Sequence, residues 1–159
     1  FTFFSAEEKG LLGSYFYSTE PLIPLKNTIA NLNIDMIGRS DTLHKNDKDY
    51  LYIIGSDFLS KDLHNINEEA NNKYSNLSMD YKYNTLEDPN KFYYRSDHYN
   101  FARSNIPVIF YFKGIHEDYH KPSDTIDKIE FEQLKNATKH IFFTLWEIVF
   151  SGREIRLNN

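Results

Sequence analysis

The sequence predicts an α/β domain of three layers, in which helices flank a central mixed β-sheet. Two observations support this prediction. Short β-branched or aromatic runs alternate along the chain with segments whose apolar residues recur at helical spacing. The 159 residues also contain no internal repeat and no long linker, and their hydrophobic content of 40% and charged content of 26% are ordinary for one globular unit.

The first half of the chain contains two predicted strands and one helix. We interpret the opening run "FTFF" as a buried strand that delivers Glu7 and Glu8 at its carboxyl end. A short helix is predicted through "KGLLGSYFY", and "TIANLNIDMI" is predicted to be a strand with Asp35 near its end. Because a domain seldom begins at its central strand, we expect elements that normally precede "FTFF" to be missing from this chain.

The second half supplies the remaining layers. "DYLYIIGS" is predicted to be a strand, "DFLSKDLHNINEEANNKY" a polar helix with a narrow apolar stripe, and "LSMDYKYN" an exposed edge strand. A short helix through "HYNFARSN" begins at Ser96 or Asp97, which are suitable caps. "IPVIFYFK" is the most hydrophobic strand, and a helix from about 130 to 150 is predicted to pack across the sheet.

Composition excludes several kinds of partner and site. The net charge of −5 and the lack of a clustered Lys/Arg run argue against nucleic acid. No apolar run approaches the roughly 20 residues that span a bilayer. The chain has no cysteine, so it forms neither disulfides nor thiolate metal sites.

The stretch "HEDYHKPSDT" contains the pattern H-E-x-x-H, in which two helical histidines hold zinc in one class of proteases. That geometry needs a helix, since only the i, i+4 spacing brings both imidazoles to one face. Here Pro122 follows almost at once and would stop any helix at or before His120. We therefore predict a loop, with His116 and Glu117 outside the real site.

The ends of three predicted strands still deliver a coherent set of side chains. Glu7 and Glu8 follow the first strand, Asp35 ends the next, and His120 lies in the loop after the strand "IPVIFYFK". Sites in α/β sheets form at the carboxyl ends of strands. Carboxylate and imidazole groups are zinc ligands, and a further carboxylate can take a proton from water. Such convergence is what a metallohydrolase needs. Most Glu, Asp and His residues are simply solvated surface side chains, however, and that interpretation is favoured for each residue taken alone.

The motifs together resemble a known family. "FTFFSAEEKGLLGSYFY", "NLNIDMIGR", "RSDHYNF" and "YHKPSDTIDKI", in this order, closely resemble the zinc-dependent aminopeptidases of family M28. The resemblance extends from Phe1 through the terminal helix. It implies a zinc exopeptidase of the phosphorylase/hydrolase-like α/β fold, with residues 1–159 as the carboxyl-terminal portion of one peptidase domain.

The resemblance also implies roles for individual residues. Glu7 would be the general base, Glu8 and His120 would bind one zinc ion, and Asp35 would bind the other. Tyr119 would donate a hydrogen bond to the developing oxyanion. The substrates implied are the amino termini of peptides or proteins.

Two further residues of the "RSDH" segment, Asp97 and His98, match a recurrent position beside the family's site. We interpret them as supports of the metal ligands or, equally, as part of a helix cap. The histidines at positions 44, 64 and 140 have no partner pattern, and we predict that they lie at the surface or at its boundary.

The chain departs from the family in one respect. The family's two zinc ions share a bridging aspartate, and one ion has a further histidine, both from a segment before the "AEE" strand. Since catalytic zinc normally has three protein ligands, we expect this chain alone to bind at most one zinc ion, weakly, and not to turn over peptides.

Three alternatives stay open. A glutaminyl cyclase shares the acidic pair but binds a single zinc ion and carries inserted loops. A carboxypeptidase would need a basic residue for the substrate carboxylate, which Arg39 or Arg95 would provide. The domain would otherwise be a non-catalytic binding module on the same fold. The family resemblance and the lack of cysteine favour a periplasmic or secreted location.

Overall fold

In the computed structural model, which describes residues 1–44 and 46–159, four strands form one mixed sheet in the order β1-β4-β2-β3. The strands are β1 (Asn31–Ile34), β2 (Tyr50–Ile54), β3 (Ser78–Asp80) and β4 (Val108–Phe112). β1 is parallel to β4, whereas β2 is parallel to β3 and antiparallel to β4. The carboxyl ends of β1 and β4 therefore meet at one edge of the sheet.

Four α-helices accompany the sheet: α1 (Leu12–Thr19), α2 (Lys61–Ala70), α3 (His98–Ala102) and α4 (Phe131–Phe150). A π-helical turn, Asn71–Ser75, extends α2. Short 3₁₀ turns occupy Glu7–Lys9, Leu25–Asn27, Phe92–Tyr94 and Ile126–Lys128. None of the helices in the described ranges has both the length and the apolar character that crossing a membrane requires.

The sheet separates two apolar cores, because successive side chains of a strand point to opposite faces. Phe110 of β4 packs in the core that contains Phe101 of α3. Its neighbour Tyr111 packs in the other core, with Leu63 of α2 and Ile141 of α4. Helices therefore cover both faces, which confirms the predicted three-layer α/β domain with a mixed central sheet.

A buried polar group lies between α2, α4 and β4, and we call it the Asn67 network: Asn67, Tyr111, His140 and Thr144. The Oδ1 atom of Asn67 accepts hydrogen bonds from the Tyr111 hydroxyl at 2.8 Å and from His140 Nε2 at 3.0 Å. His140 is fully buried, so the prediction of a surface or boundary histidine is wrong at this position. A helix's sequence does not show which of its polar residues face a second helix.

The opening segment differs from its prediction, since "FTFF" is not a strand. Phe1 and Phe3 are fully exposed, and residues 1–4 and β1 line a cavity of about 710 Å³ instead of pairing. Phe4 packs its ring against Tyr17 and Phe101, with ring centroids 5.9 Å apart in both pairs. An apolar run becomes a strand only where a neighbour satisfies its backbone groups.

Candidate active site

Glu7 and Glu8 lie on the 3₁₀ turn that connects the opening segment to α1. The turn begins after Ala6, whose φ of 56° is in the left-handed region that residues other than glycine seldom adopt. Gly13 lets α1 approach closely, because a Cβ atom there would lie 2.4 Å from the carbonyl oxygen of Ser5. The backbone N–H of Gly13 instead donates to that oxygen at 3.0 Å.

Asp35 follows β1 directly and is held by a chain of hydrogen bonds. Asn33 Nδ2 donates to Ser96 Oγ at 2.9 Å, and Ser96 Oγ donates to Asp35 Oδ2 at 2.8 Å. Asn33 and Ser96 are buried, so these two hydrogen bonds fix the orientation of the Asp35 carboxylate from the interior of the protein. Met36, the next residue, has a φ of 57°.

His120 lies in the loop that follows β4 and has a φ of 57°. Its Nε2 atom is 2.7 Å from Glu8 Oε1, a contact between residues 112 positions apart. The Tyr119 ring stacks on the imidazole with ring centroids 3.8 Å apart. Backbone strain at Ala6, Met36 and His120 accompanies the candidate residues, as is common where geometry serves function.

Glu7, Glu8, Asp35 and His120 form what we call the strand-end cluster. The pKa of Glu7 is raised to about 7, first by burial and then by the charges of Asp35, Glu8 and Asp97, whereas the charge of His120 lowers it. Burial also raises the pKa of Asp35, although the hydrogen bond from Ser96 lowers it in part. Uncompensated negative charge is therefore concentrated in the cluster.

This donor set fits a cation. Carboxylate oxygen and imidazole nitrogen are zinc ligands. Burial and, after it, neighbouring negative charges raise the pKa of Glu7 and Asp35, and a positive ion would favour the ionised form of both carboxyl groups. Glu8 and His120 converge and would hold the ion, with Asp35 as a further donor nearby. Within residues 1–44 and 46–159, no three His, Cys, Asp or Glu side chains are assembled closely enough to hold a metal.

The loop around the H-E-x-x-H pattern is a series of turns, as predicted, and not a helix. The backbone N–H of Tyr119 donates to the His116 carbonyl at 3.1 Å. Glu117 is exposed. His116 does line the cavity beside the cluster, where its Nε2 lies 3.7 Å from Asp124, so it is closer to the site than we predicted.

Asp97 and His98 have different environments. Burial and the Asp35 charge raise the pKa of Asp97, which is close enough to act on Glu7 in turn. His98 lies in the core, where its ring stacks on Phe110 with centroids 4.7 Å apart. His98 therefore packs against the sheet. The residue of the "RSDH" segment that contacts a candidate ligand is Ser96, which donates to Asp35. The sequence predicted Ser96 only as a helix cap.

A cavity of about 790 Å³ opens over the cluster. Glu7, Glu8, Asp35, Tyr119 and His120 line one part of it, and the rest is lined mainly by apolar side chains together with two arginines. Large, mostly apolar pockets with a few converging polar groups are the usual form of a small-molecule or peptide site.

Comparison with known proteins identifies the family. The model of peptidase family M28 matches residues 1–145. No curated protein sequence matches the chain.

Solved structures share the fold. An aminopeptidase from Aneurinibacillus sp. strain AM-1 is 25% identical, with a TM-score of 0.67 over 98% of this chain and 33% of that one. BSAP, a zinc aminopeptidase from Bacillus subtilis, is 24% identical, with a TM-score of 0.70 over 96% of this chain and 35% of that one. The LapA aminopeptidase of Legionella pneumophila is 24% identical, with a TM-score of 0.68 over 92% and 38%.

The chain thus spans about a third of the length of these aminopeptidases. The likeness at this level of identity concerns the fold, whereas the family model covers most of the chain and includes all four residues of the strand-end cluster. The chain belongs to peptidase family M28.

Proposed function

We propose that the full-length protein is a zinc-dependent aminopeptidase that hydrolyses the first peptide bond of peptides, with Glu7 as general base. The proposal rests on one observation. Glu8 contacts His120 at the edge where β1 and β4 end, and Glu7 lies close enough to both for their charges to act on it. Glu7 lines the cavity beside this contact, where a carboxylate can take a proton from a water molecule.

The proposal gives each side chain of the site a role in the reaction. Zinc, when bound, supplies the Lewis acidity that makes water nucleophilic near neutral pH. Glu7 removes a proton from the attacking water as its oxygen bonds to the carbonyl carbon. It then gives that proton to the amine nitrogen as the C–N bond breaks. In this proposal Tyr119 donates a hydrogen bond to the oxyanion, a contribution that is large when the donor is held in place.

The 159-residue chain by itself is proposed to bind at most one zinc ion, weakly, at Glu8 and His120, and to lack peptidase activity. This proposal rests on the two donors that meet in the cluster and on the ligands that the family resemblance assigns to a preceding segment. Equilibrium dialysis with elemental analysis tests it. Two tightly held zinc ions per 159-residue chain would contradict it.

A panel of blocked and unblocked peptides tests the activity in the zinc-loaded full-length protein. Leu-Ala-amide has a free amino group, and we expect it to be hydrolysed, whereas N-acetyl-Leu-Ala-amide is expected to be inert. Hydrolysis of N-acetyl-Ala-Leu would indicate a carboxypeptidase instead, and ring closure of Gln-Ala-amide a cyclase. Zinc binding without any reaction would favour the binding module.

Substitution of the proposed base is the second part of that test. Glu7→Gln is expected to reduce kcat by about 10²–10⁴, the usual contribution of a general base. The matched control is Glu117→Gln, because Glu117 is an exposed glutamate of the adjacent loop. Equal losses in the two variants would contradict the role of Glu7.

A further inference from the structure

Arg39 and Arg95 both line the cavity, but they differ in whether carboxylates of the protein neutralise their charge. Arg39 Nη1 lies 2.7 Å from Asp118 and 3.1 Å from Asp124, so carboxylates of the protein already neutralise it. For Arg95, by contrast, the described residues include no carboxylate within ion-pair distance. Arg95 is exposed to the cavity, which leaves its charge available to a ligand.

The Arg95 guanidinium is held in place by neutral groups. Its Nη1 donates to the Asn90 carbonyl at 3.3 Å, and its Nη2 donates to the Tyr119 hydroxyl at 3.4 Å. The guanidinium carbon lies 5.1 Å from the centre of the Phe92 ring, a cation–π contact. A guanidinium has five N–H donors, so most of its donors remain free while its orientation is restricted.

Arg95 is also connected to the strand-end cluster by a continuous series of contacts. The Tyr119 hydroxyl accepts from Arg95, the Tyr119 ring stacks on His120, and His120 contacts Glu8. The cavity therefore has an acidic end and a cationic end that are separated by one tyrosine side chain. Apolar side chains such as Met36 and Ile115 also line the cavity.

We propose that Arg95 forms a carboxylate subsite, and that the preferred substrates are short peptides with a carboxylate close to the bond that is cleaved. This inference rests on the proposed function, because it names the substrate class of the same site. The carboxylate is either an acidic side chain at the amino end of the peptide or the terminal carboxylate of a dipeptide. Both would form the paired hydrogen bonds that arginine makes with carboxylates.

Matched peptide pairs test the subsite in the zinc-loaded full-length protein. Asp-Ala-amide against Asn-Ala-amide reports a side-chain carboxylate, and Leu-Ala against Leu-Ala-amide reports a terminal one. We expect kcat/KM to favour the carboxylate member of at least one pair by tenfold or more. Which pair shows the preference identifies the source of the carboxylate.

The readout is the ratio of kcat/KM values within a pair. Because Arg95 also contacts Tyr119, its substitution can change the absolute rate for every peptide. Arg95→Gln should bring the ratio to about one, and Arg95→Lys should leave an intermediate ratio, since lysine keeps the charge without the planar fork. Arg39→Gln is the matched control and should leave the ratio unchanged. A wild-type ratio near one in both pairs, or a ratio that survives Arg95→Gln, would overturn the proposal.

A binding measurement separates failure of the subsite from failure of the proposed function. Calorimetric Kd values for the same pairs are measured with Glu7→Gln and with the double variant that adds Arg95→Gln. A tenfold preference for the carboxylate member that is lost in the double variant supports the subsite, even if the wild-type protein hydrolyses no peptide. Equal Kd values within both pairs overturn it, even if the protein is an active aminopeptidase.

Discussion

The strand-end cluster and the Asn67 network both contain a histidine that contacts a polar side chain, but their surroundings are opposite. His120 has half of its side chain exposed and contacts a carboxylate beside a cavity. His140 is fully buried and contacts a neutral amide between two helices. A histidine at a charged, open edge is available for chemistry, whereas one that is enclosed with neutral partners fixes the packing.

The comparison extends to the sign of the pH dependence. In the cluster, burial and neighbouring carboxylates raise the pKa of Glu7, so ionisation opposes folding. In the network, burial lowers the pKa of His140, so protonation opposes folding. The protein therefore carries unfavourable charge at the candidate site and keeps the Asn67 network neutral.

Asn67→Leu should produce the largest change in stability. It leaves the Tyr111 hydroxyl and His140 Nε2 without their acceptor, and each unpaired buried donor costs roughly 1–3 kcal/mol. We expect a loss of about 2–4 kcal/mol in the free energy of unfolding, measured with urea. The control is Asn65→Leu on the exposed side of the same helix. Similar losses in both variants would show that the network adds no stability.

His140→Gln should remove part of the pH dependence of stability. Burial lowers the pKa of His140 to about 4 in the folded protein, below the ordinary 6.5 of the imidazole. The unfolded chain thus binds a proton that the folded protein excludes, and stability is lost as the pH falls from 6.5 towards 4. The expected loss between pH 7 and pH 5 is about 2 kcal/mol from this residue. Glutamine keeps a donor for Asn67, so an unchanged pH slope in the variant would contradict this assignment.

Glu7→Gln should stabilise the protein in the presence of a chelator. The pKa of Glu7 is raised from 4.5 to about 7, so its contribution is lost as the pH rises through that range and is least favourable at pH 8. Because solvent reaches the side chain and screens its charge, we expect the free energy of unfolding to rise by only about 1 kcal/mol in the variant. Thermal unfolding at pH 5 and pH 8 measures it. If the variant were less stable than wild type at pH 8, the Glu7 carboxylate would stabilise the fold, and the prediction would be wrong.

Lys135→Ala should have the smallest effect. Lys135 pairs with Glu132 on α4, but these two side chains are 65% and 74% exposed. Such pairs contribute about 0.2–0.5 kcal/mol. Urea denaturation of the variant should agree with wild type within that range, and a loss above 1 kcal/mol would mean that surface charge matters more than the comparison implies.

Sequence patterns predicted the parts of the fold that depend on local periodicity. β1 and β4 were found because their apolar residues are continuous or alternate, and the loop around His120 because Pro122 ends any helix. "FTFF" failed because strand formation depends on a partner and not on the run itself.

The remaining features of the site depend on contacts across the chain. Ser96 was predicted to be a helix cap, but α3 has no side-chain cap hydrogen bond. The Ser96 hydroxyl instead donates to Asp35, 61 positions away. The ion pairs of Arg39, and the lack of a carboxylate partner for Arg95 among the described residues, likewise depend on which carboxylates the folded loops bring near. His140 is buried because α2 packs on α4, which a pattern within α4 does not specify.

The number of zinc ions per full-length protein, measured by elemental analysis after gel filtration, shows whether the strand-end cluster is the metal site. We predict two ions in the wild type, one in Glu8→Gln and in His120→Gln, and two in Glu7→Gln, because Glu7 serves as base and not as ligand. If Glu8→Gln and His120→Gln retain the full wild-type zinc content, the strand-end cluster is not the metal site.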